Sequence, residues 1–127
     1  MTLTAGASFA TGAVYNWELG PNNLRSDLLR VSSGNLAFGS SMVLNVLQFA
    51  GSQPIVGTDY VLLNYAGATL TTAAPTWTIN YVSGGYYGAS VVNDSGNSRF
   101  LLTGLLPEPG ALTLLAAGAA VLWRRRR

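Results

Sequence analysis

Apolar and polar residues alternate strictly in two short segments of this chain. In the first segment, Tyr15, Trp17 and Leu19 are separated by Asn16 and Glu18. The second segment, residues 77–81 (Trp-Thr-Ile-Asn-Tyr), repeats the pattern. A two-residue period places apolar side chains on one face of a β-strand and polar side chains on the other. Both segments are therefore predicted to be half-buried strands whose large apolar side chains share one face.

Further runs rich in β-branched, aromatic and leucine residues predict additional strands. They cover residues 27–31, 35–38, 42–47, 59–65, 86–92 and 99–103. The segments between them contain Gly, Pro, Asn and Ser, which accept turn dihedral angles. No segment before residue 105 shows a sustained helical period, and strand signals recur roughly every 8–12 residues. Residues 1–104 are therefore predicted to form an all-β module, either a short-stranded β-solenoid or a sandwich-like or barrel fold.

The pattern changes abruptly at residue 105. Residues 105–109 (Leu-Leu-Pro-Glu-Pro) predict a stiff linker, and residues 110–123 carry no charge and are rich in Ala and Leu, which favour helix. Residues 110–127 are predicted to be an apolar transmembrane helix with a basic end. At about 21 Å the helix is short for a bilayer core of about 30 Å. The predicted anchor comprises Leu112, Leu114, Leu115, Val121, Leu122 and Trp123.

The chain closes on a basic cluster, which consists of Arg124, Arg125, Arg126 and Arg127. Basic flanks of a membrane helix stay on the cytoplasmic side, so the β-module is expected on the other side. Arginine side chains reach toward water and a terminal tryptophan prefers the interface, and both properties help a short helix to span. The alternatives are a core helix with a solvated basic end and a nucleic-acid-binding tail. A run that is apolar on every face disfavours the first, and the lack of a second basic cluster disfavours the second.

The composition excludes several classes of site. Hydrophobic residues make up 49% of the chain and charged residues only 9%, which suits an exported β-rich protein. There is no Cys and no His, so thiolate zinc sites and Ser–His–Asp or Cys–His catalysis are impossible within this chain. The net charge of +2 arises from the terminal arginines, because the rest of the chain carries three Arg against five acidic residues. No catalytic residue, metal site, cofactor or nucleic-acid partner is predicted.

Two functional alternatives involve side chains of the β-module. A glycoside hydrolase would need a pair of carboxylates, and the candidates are Glu18, Asp27, Asp59 and Asp94. A carbohydrate-binding module would present flat aromatic faces, and the candidates are Trp17, Trp77, Tyr81, Tyr86 and Tyr87. Acids at strand starts usually serve turns, and aromatic residues in short strands usually pack in the core, so both alternatives rank below a non-catalytic role. Residues 93–97 offer one carboxylate, which is too little charge for a calcium site.

The three-part order of the tail resembles a PEP-CTERM sorting signal. The tripeptide of that signal corresponds to Pro107, Glu108 and Pro109, its apolar helix to residues 110–123, and its basic end to residues 124–127. The resemblance implies recognition, and cleavage near the tripeptide, by an exosortase-type transpeptidase of a Gram-negative bacterium. It also implies an exported protein that passes through an inner-membrane intermediate to the cell surface or extracellular matrix. Exopolysaccharide is the further partner that the resemblance suggests.

The β-module itself resembles the C-terminal end of autotransporter-associated β-strand repeat proteins. The resemblance rests on residues 17–19, 26–31, 36–39 and 57–62. It implies that residues 13–104 are the last rungs, or the cap, of a longer β-solenoid. The first six residues contain no basic region and no continuous apolar run, so an export signal is expected upstream of Met1. Together, these observations predict a non-catalytic bacterial surface protein.

Overall fold

In the computed structural model, the described residues are 1–20, 26–48, 58–83 and 85–107. They form an all-β body of thirteen strands, and their only helical element is a 3-10 turn at Ser95–Asn97. The strands are β1 (Thr2–Leu3), β2 (Ala7–Phe9), β3 (Ala13–Leu19), β4 (Leu29–Val31), β5 (Asn35–Phe38), β6 (Ser41–Gln48), β7 (Tyr60–Asn64), β8 (Thr69–Leu70), β9 (Thr76–Tyr81), β10 (Tyr86–Tyr87), β11 (Ser90–Asp94), β12 (Arg99–Thr103) and β13 (Leu106–Pro107). The expectation that the module is all-β is confirmed.

The first nine strands repeat the same path three times. β1, β4 and β7 pair in parallel in one sheet, β2, β5 and β8 form a second, and β3, β6 and β9 form a third. Each turn of the chain therefore contributes one strand to each of three parallel sheets. The first nine strands therefore form three separate parallel ladders, whereas sandwiches and up-and-down barrels are built from antiparallel strands.

Antiparallel strands cover one end of this coil. β12 pairs with β7 on the edge that β4 does not use, and β11 pairs with the far side of β12. A register shift between Phe100 and Leu101 bends β12, as a β-bulge does. Phe100 and Leu102 are buried in the core. The antiparallel pair therefore closes the first sheet and supplies core side chains where the third turn would otherwise be open.

The core lies between the three sheets and is filled by the inward positions of each strand. Trp17, Leu36, Leu44 and Leu62 are completely buried, and each comes from a different strand. Phe38 joins the layers, because its ring stacks on Phe9 at 5.5 Å and meets Phe100 edge-on at 5.4 Å between centroids. Such aromatic pairs stabilise beyond their buried area. The alternation that predicted Trp17 and Leu19 as core residues is confirmed.

Several strand predictions need correction. The strand predicted over residues 86–92 is two strands, because Gly88 adopts a φ of +79° between β10 and β11. Asn93 and Asp94, predicted in a turn, lie in β11. The two-residue strands β1, β8 and β13 and the three-residue strand β2 were not predicted. Their pairing with neighbouring turns stabilises them, and no local period marks them in the sequence.

The boundary between module and tail also differs from the prediction. The module was expected to end at residue 104, but Leu105 is fully buried in the core and Leu106–Pro107 form β13. Leu105 is therefore part of the folded body and not an extension of the apolar tail. The predicted helix, residues 110–127, lies outside the described residues, as do Glu108 and Pro109.

Candidate functional site

The proposed sorting tripeptide begins at Pro107, the last residue that the structure describes. Pro107 is the last residue of β13 and lies opposite Tyr86 of β10 in an antiparallel pair. Proline has no N–H for a ladder, so it suits the end of an edge strand. Leu106 lies opposite Tyr87 in the same pair. The structure thus places the first residue of the tripeptide directly on the body, with no free linker before it.

The other residues predicted for sorting and anchoring lie outside the described part of the chain. These are Glu108, Pro109, the six anchor residues and the arginine cluster. Within the described ranges, none of the helical structure has the length and apolar character that crossing a bilayer requires.

Two of the four candidate acidic residues, Glu18 and Asp27, are joined through the backbone of Glu18 at the end of β3. The Glu18 N–H donates to Asp27 Oδ2 at 3.1 Å, and the Asp27 N–H donates to the Glu18 carbonyl at 3.0 Å. The indole Nε1–H of Trp17 donates to the Asp27 carbonyl at 2.7 Å. Asp27 therefore fixes the return of the chain toward β4, a structural role. Asp59 is exposed immediately before β7.

The fourth carboxylate, Asp94, is held in an ion pair at the end of β11. Arg99 Nε donates to Asp94 Oδ2 at 2.8 Å, and Asn97 Nδ2 donates to the same oxygen at 3.0 Å. These hydrogen bonds, that of Arg99 first, lower the pKa of Asp94. Asp94 is thus a stable anion that closes the turn between β11 and β12. No cluster of three or more Asp, Glu, His or Cys able to hold a metal occurs in the described ranges.

The candidate sugar-binding aromatics do not form one exposed face. Trp17 is completely buried and meets Tyr60 edge-on, so it cannot stack on a sugar. Trp77 packs against Phe38 and Phe100. The Tyr81 hydroxyl accepts a hydrogen bond from the Ala89 N–H at 2.8 Å. Of the five candidates, Tyr87 alone is classed as exposed, at 41%.

A ladder of asparagines, which the sequence interpretation missed, crosses the outer face of the third sheet. Asn45 Nδ2 donates to Asn16 Oδ1 at 2.8 Å, and Asn80 Nδ2 donates to Asn45 Oδ1 at 3.0 Å. The three residues occupy one register position in β3, β6 and β9. The spacings of 29 and 35 residues were the available signal. The ladder stabilises the stack of turns and leaves no reactive group there.

The cavities of the body carry little chemistry. An open groove of about 610 Å³ over the second sheet is lined by small residues, among which Ser8, Asn35 and Thr71 are polar. An apolar cavity of about 180 Å³ is lined by side chains from all three turns, among them Val14, Leu29 and Trp77. The Trp77 Nε1–H is the buried side-chain donor that has no hydrogen-bond partner within the described ranges. Neither space combines a nucleophile, an acid and a charge stabiliser.

Tyr15 is a half-buried titratable side chain of β3. Its hydroxyl donates to the Leu62 carbonyl at 3.1 Å. Burial, followed by the negative charge of Asp27, raises the pKa of the phenol well above its ordinary value, while a backbone hydrogen bond with Leu29 opposes the shift. A phenol that keeps its proton this strongly is a structural hydrogen-bond donor and not a base.

Comparison with protein-family models, with curated proteins and with solved structures finds no match to this chain.

Proposed function

We propose that this chain is a non-catalytic bacterial cell-surface or extracellular-matrix protein that carries a C-terminal sorting signal. The observation that carries the proposal is that Pro107 is both the last residue of β13 and the first residue of the tripeptide. β13 is the last described strand, and the rest of the tripeptide, the apolar run and the arginines follow it in the sequence. A signal of this kind must lie beyond the domain that it delivers, because the sorting machinery needs access to it.

The arrangement of the body supports a display role over catalysis. Asp27 is engaged in backbone contacts and Asp94 in an ion pair, so neither is a free acid or base. Trp17 and Trp77 pack in the core rather than on a sugar-binding face. A low-charge surface of Ser, Thr, Asn and Gly on a stacked β-body suits a structural or adhesive element of a matrix.

We also propose that the three turns are the last turns of a longer β-solenoid, with the antiparallel strands as its cap. Within the described ranges, β1, β2 and β3 each pair on one side only, whereas β12 covers the other end of the first sheet. Stacked turns bury a continuous core only against neighbours, and terminal units differ from internal ones. The antiparallel β11–β12 pair is such an atypical terminal unit.

The sorting proposal is tested by expressing the full chain behind an export leader, in hosts with and without an exosortase-type enzyme. Its size and location are followed by immunoblot against an epitope placed between the leader and the body. We expect a shortened, released product only in the host that has the enzyme. A full-length, membrane-bound product in both hosts would leave a plain anchor and refute the sorting role.

The variants for this test avoid damage to the body. Glu108→Ala and Pro109→Ala change the tripeptide outside β13, and both are expected to block shortening. Glu18→Ala is the matched control, because it removes a glutamate from an exposed position of β3. Normal shortening of the tripeptide variants would contradict the assignment of the motif.

A further inference from the structure

The predicted membrane span is shorter than the hydrocarbon core of a bilayer. If the apolar run of residues 110–123 is helical, as the sequence predicts, it would span about 21 Å, about 9 Å less than a typical hydrocarbon core. Leu105 cannot lengthen the run, because its side chain is fully buried in the body. A short span is accommodated by thinning of the bilayer or by flanking groups at its interface.

The body lies close to the membrane in any such arrangement. Only Glu108 and Pro109 separate Pro107 from Gly110. Three residue steps of extended chain cover at most about 10 Å. Because Pro107 is held in β13 by its pairing with β10, the Pro107 end of this small two-stranded sheet lies within that distance of the start of the apolar run.

This sheet carries an exposed apolar pair, which we call the junction patch: Tyr87 and Leu106. The two residues are directly opposite in the antiparallel pair, so their side chains lie on the same face of the sheet. Tyr87 is 41% exposed and Leu106 is 43% exposed. Tyrosine is the residue type that favours the layer between headgroups and acyl chains, since its ring is apolar and its hydroxyl is wet.

We propose that the junction patch contacts the interfacial layer of the bilayer while the tail is inserted, and so anchors the body against the membrane surface. The inference rests on the proposed function, because it requires the tail to insert. Apolar contact drives it, since the chain outside the arginine cluster has an excess of two negative charges, three Arg against five acids. The contact should therefore persist in vesicles with or without anionic lipid, and at raised salt.

The chain contains no cysteine, which permits a direct test by single-cysteine labelling. Tyr87→Cys and Leu106→Cys, in the full chain, are labelled with a polarity-sensitive fluorophore and reconstituted into phosphatidylcholine vesicles, with and without phosphatidylglycerol. The control is Val14→Cys, because Val14 is 56% exposed in β3 of the first turn, away from the β10–β13 sheet. Urea midpoints of the three labelled variants establish that each is folded.

We expect a blue-shifted emission at positions 87 and 106 relative to the same protein in detergent-free buffer, with no shift at position 14. Spin-labelled lipid should quench positions 87 and 106 and leave position 14 unaffected. Flotation of the vesicles tests insertion of the tail separately from contact of the junction patch with the bilayer. A chain that floats while positions 87 and 106 remain in water overturns the junction patch and leaves the anchor standing. A chain that does not float overturns both.

Discussion

The close stacking of turns at the glycine corners makes a sharp prediction about stability. Each turn passes from the first sheet to the second through a glycine with positive φ: Gly6 at +90°, Gly34 at +79° and Gly67 at +91°. An added Cβ at Gly34 would lie 2.9 Å from the backbone of Ala5 and Gly6 in the preceding turn. Gly12 has nearly the same φ, +78°, but an added Cβ there would meet nothing within 4 Å.

The comparison of Gly34→Ala with Gly12→Ala therefore isolates the contact between turns. Both variants place alanine in the left-handed region, at a cost of about 1–2 kcal/mol, and both gain a little from a less flexible unfolded chain. Gly34→Ala must also move backbone atoms of the neighbouring turn, and overpacking of this kind costs about 1–3 kcal/mol more. We expect Gly34→Ala to lose about 2–4 kcal/mol of unfolding free energy in total, and Gly12→Ala about 1 kcal/mol.

The assay is urea unfolding of the full chain in mild detergent, followed by tryptophan fluorescence, to which the fully buried Trp17 contributes. A difference of about 1–3 kcal/mol between the variants would lower the urea midpoint of Gly34→Ala clearly below that of Gly12→Ala, with similar slopes. Equal midpoints would refute the argument, because they would mean that the turns are not in close contact at this corner. A larger loss for Gly12→Ala would refute it as well.

Three further variants test hydrogen bonds that join different turns. Asn45→Ala removes both hydrogen bonds of the asparagine ladder and Asn16→Ala removes one. In urea unfolding, Asn45→Ala should therefore lower the free energy of unfolding by about 1–2 kcal/mol and Asn16→Ala by about half of that. Equal losses would show that the ladder does not stabilise the body. Tyr15→Phe removes a phenol whose pKa is raised above its ordinary value of 10.0 in the folded state. Because the folded protein holds that proton more tightly, its contribution is complete below about pH 10 and is lost as the pH rises further. The free energy of unfolding of the wild type should therefore fall more steeply than that of Tyr15→Phe above this pH, and parallel curves would contradict the role of burial.

The long strands could be predicted from the sequence because alternation identifies their buried face directly. Trp17 and Leu19 of β3 follow this period and are both buried. Strands of two residues, such as Thr2–Leu3 and Thr69–Leu70, have no period to detect and form because a neighbouring turn offers a paired edge. Their existence is a property of the stack, and local sequence does not determine it.

The repeat of turns was hidden by unequal spacing. Successive ladder asparagines are 29 and then 35 residues apart, because the connection before the third turn is longer. A search for a fixed period would miss the third turn. At the site, the sequence predicted the tail, and the structure added the attachment of Pro107 to the body. Leu105 and Leu106 show why that attachment could not be predicted: adjacent identical residues have opposite environments, one buried and one exposed.

The pairing of β13 with β10 limits how much of the body the proposed processing enzyme could bind. β13 pairs with β10 over only two residue pairs, and its last residue is a proline without an N–H. An enzyme that binds the tripeptide in extended form could therefore also bind Leu106 and Pro107. It would only have to break the short β10–β13 ladder, and the buried core would stay intact. One residue further, Leu105 is fully buried, and withdrawing a buried leucine costs about 2–3 kcal/mol of transfer free energy before any cavity is counted. If the tail is processed as we propose, the buried Leu105 limits the accessible chain to Leu106 and the residues after it.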